Sequence, residues 1–322
     1  MTSSPRPAAW KLLLAFAIIY LVWGSTYLAI RIGVREIPPF LMAGLRFTAA
    51  GAVMWTWMRV TGTPSPTLHE WRDASVLGTL MFLIDYACLF WAEQRVPSGI
   101  AAVILAMIPV CITLLEIGFL RTQRLTLRLA TGLGIGVVGV VVLMNPSASL
   151  GEAPLDHRGV IALLVSCCGW SVGTIVTKRL TLPTSKPMSA AAQMLSGGVQ
   201  LLALAAVAGE FTNFRAQNIS SGAWLSLIYL IIAGSIISYT AYVWLLHYES
   251  PTKVGTYAYV NPVVAVILGA TLGGESMGRR TILGTALILI SVVAITTIKR
   301  TQVEPANANL SREAELKAVA DD

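Results

Sequence analysis

Apolar residues run along this chain in long stretches separated by short polar breaks. Residues 97–115, 129–151 and 159–177 contain no charged side chain at all. A helix that crosses a bilayer needs about 20 mostly apolar residues, and each of these runs has that length. Dividing the pattern at Pro, Gly and charge clusters predicts ten such helices, at 11–31, 38–58, 74–94, 97–120, 127–145, 158–178, 188–209, 222–247, 252–273 and 280–298. The expected fold class is an all-α membrane protein. The flanks are a short N-terminal segment 1–10, a linker 146–157 and a tail 299–322. The tail carries Glu304, Glu313, Glu315, Asp321 and Asp322 and too few large apolar residues to pack, so it reads as disordered.

Composition narrows the function. Only 12% of the residues are charged against 55% hydrophobic, whereas a water-facing surface needs about 25% charged residues. Ten spans and their connections fill the chain and leave no room for a soluble catalytic domain. The net charge of +7 is spread as short clusters between apolar runs, which is a topology signal and not a nucleic-acid stripe. With the N-terminus inside, the cytoplasmic segments hold 15 of the 23 basic residues and the opposite side holds 7, with Arg46 inside helix two. The positive-inside bias therefore puts both termini in the cytoplasm. Cys88, Cys111, Cys167 and Cys168 all fall in apolar runs, where a thiol acts as a small hydrophobe. No disulfide, metal or cofactor is expected.

The second half repeats the first. Trp23 and Arg31 fall on Trp170 and Lys178, Pro39 on Pro187, Trp91 on Trp244, Pro109 on Pro262, and Gly132 on Gly284. Each unit has five spans, at 11–145 and 158–298, and an odd number makes the second unit run through the membrane in the opposite sense. This predicts an inverted-topology repeat, an arrangement that transporters use for alternating access.

The run Trp23-Gly24-Ser25-Thr26-Tyr27, Pro38-Pro39 followed by Leu45-Arg46-Phe47, Pro109 with Pro262, and Gly274-Glu275 ahead of helix ten resemble the drug/metabolite transporter superfamily, specifically its EamA-type exporters. The resemblance covers residues 11–298. It implies ten helices in two EamA repeats around a central cavity lined largely by helices one, three, four, six, eight and nine, with five and ten at the periphery. The loop ahead of helix five departs from the pattern. It reads Arg121-Thr122-Gln123-Arg124 where the other half has Gly274-Glu275, so any role of the acidic position belongs to the second half alone.

No enzyme signature such as His-Glu-x-x-His, Gly-x-Ser-x-Gly or a phosphate-binding loop occurs, and His69, His157 and His247 lie in or near predicted loops. The candidate chemistry is aromatic and polar. Tyr20, Trp23, Tyr27 and Arg31 share one face of helix one, and helix six repeats the stripe as Ser166, Trp170, Thr174 and Lys178. Tyr239 with Tyr242 on helix eight, and Tyr257 with Asn261 on helix nine, add polar-tipped rings at one-turn spacing; buried in hydrocarbon, these groups need partners. Asp85 and Tyr86 lie near the middle of helix three. Ionisable residues within spans are few: Arg46, Asp85, Glu116, and Glu93 near an end. Such groups cost about 2.5–3.5 kcal/mol at a helix centre and face a polar interior. Arg46 is equally a structural tie between helices, and Asp85 either a hydrogen-bonded brace or a partner for protons or substrate amines. The predicted substrate-binding residues are thus Trp23, Tyr27, Asp85, Tyr86, Trp170, Tyr239, Tyr242, Tyr257 and Asn261. Pro109 and Pro262 are the candidate hinges, since a mid-helix proline removes a backbone hydrogen bond. Gly132 and Gly136 form a Gly-x-x-x-Gly that permits close packing inside the chain.

The sequence reads as a secondary transporter of the bacterial inner membrane, acting on small amphipathic metabolites such as amino acids or aromatic compounds. A membrane-embedded lipid or glycosyl transferase and a passive channel are the competing classes. Expected partners are the substrate and the lipid bilayer, with no nucleic acid, and the chain is expected to be a monomer or weak homodimer.

Overall fold

The structure is a computed structural model that describes residues 7–120, 125–144, 155–249, 254–276 and 278–297. Residues 1–6, the Arg121-Thr122-Gln123-Arg124 loop, linker residues 145–154 and the tail from 298 lie outside the described residues. All regular structure among the described residues is helical. The long helices are α1 (Ala9–Gly33), α2 (Pro39–Val60), α3 (Leu68–Glu93), α4 (Ser98–Gly118), α5 (Leu127–Met144), α6 (His157–Arg179), α7 (Lys186–Val207), α8 (Ser221–Leu246), α9 (Tyr257–Thr271) and α10 (Arg279–Thr297). Eight of them are long and apolar enough to cross a membrane; α9 is apolar but shorter, and α2 is a 22-residue helix that includes Arg46 and Arg59. Large apolar side chains such as Leu13, Trp57, Val137 and Leu283 are exposed, as a lipid-facing surface requires. Trp10 and Trp57, 62% and 66% exposed, lie at helix ends where aromatic belts form.

Helix ends differ from expectation where caps decide them. Helix α3 starts at Leu68 and not at 74, because Thr67 and Glu70 form a reciprocal capping box; its polar first turn hid the helix from an apolar pattern. Helix α9 starts at Tyr257, later than the predicted 252. The two prolines act differently. Helix α4 is interrupted by a turn at Ala106 and Met107, just ahead of Pro109, whereas α9 continues through Pro262.

Two glycine seams organise the packing. Between α2 and α7, a Cβ added to Gly51 would lie 2.7 Å from the Leu195 backbone nitrogen, and one on Gly198 2.5 Å from that of Thr48. Gly44 meets Leu202 in the same way. Between α5 and α10, Gly132 meets Ile295, Gly136 meets Ser291, Gly139 meets Ile288 and Gly284 meets Leu143. Ser291 Oγ donates to the Gly132 carbonyl at 2.6 Å. Residue numbers rise along one helix as they fall along the other, so both pairs run antiparallel. The Gly132 and Gly136 motif therefore packs within the chain.

Three helices contain π-helical stretches: Ile18–Val22 in α1, Gly78–Ile84 in α3 and Leu230–Ile237 in α8. Those in α3 and α8 occupy corresponding places when Trp91 is laid on Trp244. Each widened turn leaves carbonyls without their usual donors, and in α8 hydroxyls supply them: Ser235 Oγ donates to Leu230 O at 3.0 Å and Ser238 Oγ to Ala233 O at 2.8 Å.

Candidate functional site

An aromatic group forms where α1, α8 and α9 meet. The Trp23 ring lies 4.9 Å from that of Tyr257, edge-on, and 5.5 Å from that of Tyr242, which continues to Tyr239 at 6.2 Å. The indole of Trp23 donates to the Gly234 carbonyl at 3.0 Å, inside the π stretch of α8. Close approach of α1 and α9 at Gly24, where a Cβ would sit 2.6 Å from Val264 Cβ, brings the rings together. Asn261 is buried below them. With its amide nitrogen facing the acceptors, it donates to the carbonyls of Tyr20 at 3.2 Å and Tyr257 at 3.1 Å, so it ties α1 to α9. Tyr20 OH shares a 2.6 Å hydrogen bond with Thr256 Oγ1, and Ser25 Oγ one of 2.5 Å with Tyr229 OH.

A second group joins α2, α3, α6 and α8. Phe47 packs edge-on against Phe82 and Tyr86 at 4.9 and 4.4 Å, and the Arg46 guanidinium lies over the rings of Phe47 and Tyr86 at 4.7 and 5.4 Å. Such contacts favour a buried cation. Arg46 Nε also donates to Ser235 Oγ at 3.1 Å, across to the π stretch of α8, while one terminal nitrogen is buried without a hydrogen-bond partner among the described residues. Asp85 is 2% exposed and accepts a short hydrogen bond from Ser166 Oγ of α6. Tyr27 from α1 stands within electrostatic reach of Tyr86, Asp85 and Glu93.

At the end of the bundle that holds Arg31, carboxylates tie neighbouring helices together. Glu36, after α1, accepts from Ser220 N and Oγ at 2.6 and 2.7 Å and so caps α8. Glu210, after α7, accepts from Leu41 N at 2.7 Å and Phe40 N at 3.3 Å and caps α2. Glu275, ahead of α10, accepts from Ser98 N and Oγ at 2.7 Å each and from Gly99 N at 3.1 Å, capping α4. A carboxylate suits the unsatisfied N–H groups and positive dipole of a helix start. Arg31 adds a further tie, pairing with Glu275 at 3.3 Å and donating to the carbonyls of Glu93 and Val96 that end α3. Hydrogen bonds to Ser220 hold the Glu36 carboxyl below its ordinary range, whereas burial pushes that of Glu210 up.

At the opposite end, which holds Lys178, a hollow of about 270 Å³ opens between Pro187 of α7 and Tyr239, Val243 and Trp244 of α8. Tyr239 thus borders both the hollow and the aromatic group.

The structure brings together Trp23, Tyr239, Tyr242 and Tyr257, with Asn261 beside them, and separately Asp85 and Tyr86, with Tyr27 facing the latter pair. Trp170 is half-buried on α6, and among the described residues its ring joins neither group. Pro109 lies beside the break in α4. Sequence reasoning did not find the π stretches, for which small polar residues such as Ser235 and Ser238 within an apolar run are the only cue. It also left Arg31 and Glu93 at the margin. Among the described residues no three His, Cys, Asp or Glu side chains gather as a metal site needs; the arrangement offers aromatic faces, hydroxyls and isolated charges, suited to holding an amphipathic solute.

The EamA-like transporter family matches residues 10–145 and 157–297. The chain is 38% identical over 284 residues to the "Uncharacterized inner membrane transporter YedA" of Escherichia coli strain K12, covering 88% of this chain and 89% of that one. It is 25% identical to the "Probable amino-acid metabolite efflux pump" of Salmonella typhimurium, covering 84% and 90% respectively. A crystal structure of 22% identity aligns with a TM-score of 0.57 over 89% of this chain and 96% of that one, a likeness of fold. With family matches across both halves and a relative this similar over most of its length, the chain is a multi-pass membrane protein that belongs to the EamA-like transporter family.

Proposed function

We propose that this protein is a secondary transporter of the inner membrane that moves small amphipathic metabolites, amino acids or aromatic compounds among them, by alternating access. All ten helices span in this reading, as two inverted five-helix repeats, with the Arg31 end outside and both termini in the cytoplasm. The observation that carries it is the antiparallel packing of repeat mates: α2 lies against α7 and α5 against α10 across glycine seams. A twofold axis in the membrane plane requires that relation, and it is the symmetry that lets two bundles exchange inward- and outward-open states.

The asymmetry of the two ends supports a specific state. Glu36, Glu210, Glu275 and Arg31 lock the outer end, while the hollow beside Tyr239 lies at the inner end. In this reading the conformer is closed at the outer end; at the inner end Asp73 of α3 also accepts from Thr181 N at 2.8 Å, and the hollow beside Tyr239 borders the aromatic group. The relatives named as an inner membrane transporter and an amino-acid metabolite efflux pump support the location and the substrate class. Counterflow of labelled L-amino acids into proteoliposomes tests the reading. Saturable exchange stimulated by internal unlabelled substrate is expected; flux that never saturates points to a channel and overturns it.

A further inference from the structure

We propose that Glu93 is the site where a proton is bound and released during the transport cycle, with Arg46 as its ion-pair partner once the proton has left. This rests on the transport reading above and names the coupling group, which that reading leaves open.

Glu93 ends α3 and is 0% exposed, and among the described residues neither carboxylate oxygen has a hydrogen-bond partner. An ionised carboxylate without donors does not persist in a dry interior; a proton removes the charge. The charged and titratable groups in reach are Arg31 and Tyr27 from α1, Arg46 from α2 and Glu275 ahead of α10. Arg31 is already committed to two backbone carbonyls and to Glu275. Arg46, 3% exposed, donates from Nε to Ser235 and lies against Tyr86, and among the described residues it keeps a terminal nitrogen without a hydrogen-bond partner. No ion pair within 4.0 Å links Arg46 to Glu93 among the described residues. On the other packed helices, the single acid of α4, Glu116, stands at its far end, and α6 carries His157 and Arg158 at the Arg31 end and Cys167 deeper in. Tyr86, Phe90 and Glu93 share one face of α3, and the Arg46 guanidinium already lies against Tyr86. The two unmet charges therefore line the same path.

The step is a simple dissociation: the carboxyl O–H bond breaks, the proton passes to water, and the carboxylate left behind pairs with Arg46. Water from the outside reaches Glu93 when the Arg31–Glu275 tie directly beside it opens, and the inward-open state exposes the carboxyl along the Tyr86 and Arg46 side, so the proton taken up on one side leaves on the other.

The test uses the full-length protein in proteoliposomes with labelled L-phenylalanine and L-threonine as probes. Counterflow at equal pH and accumulation driven by a pH gradient are measured side by side. E93Q is expected to retain counterflow and to lose gradient-driven accumulation entirely; E93D, which still titrates, restores it. Accumulation by E93Q at the wild-type level overturns the proposal, as does wild-type accumulation that ignores the gradient, and both leave the transport reading standing. Absence of counterflow in the wild type overturns that reading instead. An independent readout needs no substrate: the infrared difference between purified wild-type protein and E93Q must contain the carbonyl band of a protonated carboxylic acid, distinct from any that Asp85 contributes to both, and its absence from that difference refutes Glu93 as the proton site.

Discussion

Glu275→Gln is the perturbation that weighs the outer lock. The carboxylate serves three donors on Ser98 and Gly99 at 2.7, 2.7 and 3.1 Å and pairs with Arg31 at 3.3 Å. Glutamine keeps one acceptor oxygen but gives up the charge. The loss combines a weakened charge-assisted bond, about 1.5–3 kcal/mol, with the favourable field of the α4 start, about 0.3–1 kcal/mol, less whatever the amide retains. A net of about 1–3 kcal/mol is reasonable, and if the contacts exist only in the outward-closed state, it shifts the equilibrium by about 5–150-fold. Val96, 0% exposed and held beneath the lock by Arg31, is the reporter position. In a Val96→Cys background with the four native cysteines replaced by serine, an impermeant maleimide added outside should react faster by that factor once Glu275→Gln is introduced. Glu70→Gln, at the other end of α3, serves as the control and should change nothing. An unaltered labelling rate in a folded Glu275→Gln protein would refute the idea that this carboxylate holds the outer end shut.

Asp85→Asn keeps the shape and an acceptor for Ser166, so counterflow and its pH dependence should survive; loss of either makes Asp85 a functional carboxylate and not a brace. Trp23→Phe preserves edge-on contact with Tyr257 but not the bond to Gly234, and a KM increase in counterflow with little change in maximal rate is expected, whereas an unchanged KM places the substrate elsewhere. Gly198→Leu forces a side chain into the Thr48 backbone, and overpacking of about 1–3 kcal/mol or more should appear as a lower unfolding midpoint in detergent, where an unchanged midpoint contradicts the tight α2–α7 seam. Because the Glu36 carboxyl titrates below its ordinary range when bonded to Ser220, its contribution is present above the unfolded value and is lost as pH falls through the lower folded one. Thermal midpoints of wild type and Glu36→Gln should therefore converge on acidification, and a gap that widens instead reverses the assignment.

Periodicity made the helices legible because a bilayer forces every backbone donor and acceptor into helical bonds, and long apolar runs such as 129–144 admit no other reading. The repeat was legible for a related reason: Gly132 and Gly284 recur because each must admit the partner helix of the other repeat, and a seam between symmetry mates constrains both copies alike. Where local chemistry competed with hydrophobicity the reading slipped. Thr67 and Glu70 start α3 inside a polar stretch, and π turns in α1, α3 and α8 leave no periodic mark in residues of ordinary helix propensity. The aromatic stripe on α1 lies against rings of α8 and α9, since polar-tipped rings in hydrocarbon must find partners. Its mate on α6 did not mirror it: Trp170 joins no ring group among the described residues, while the nearby Ser166 braces Asp85. In the alternating-access reading proposed above, one conformer need not keep the symmetry of the repeat, because each repeat makes different contacts in each state; Trp170, set apart from the rings that gather around Trp23, is such a departure.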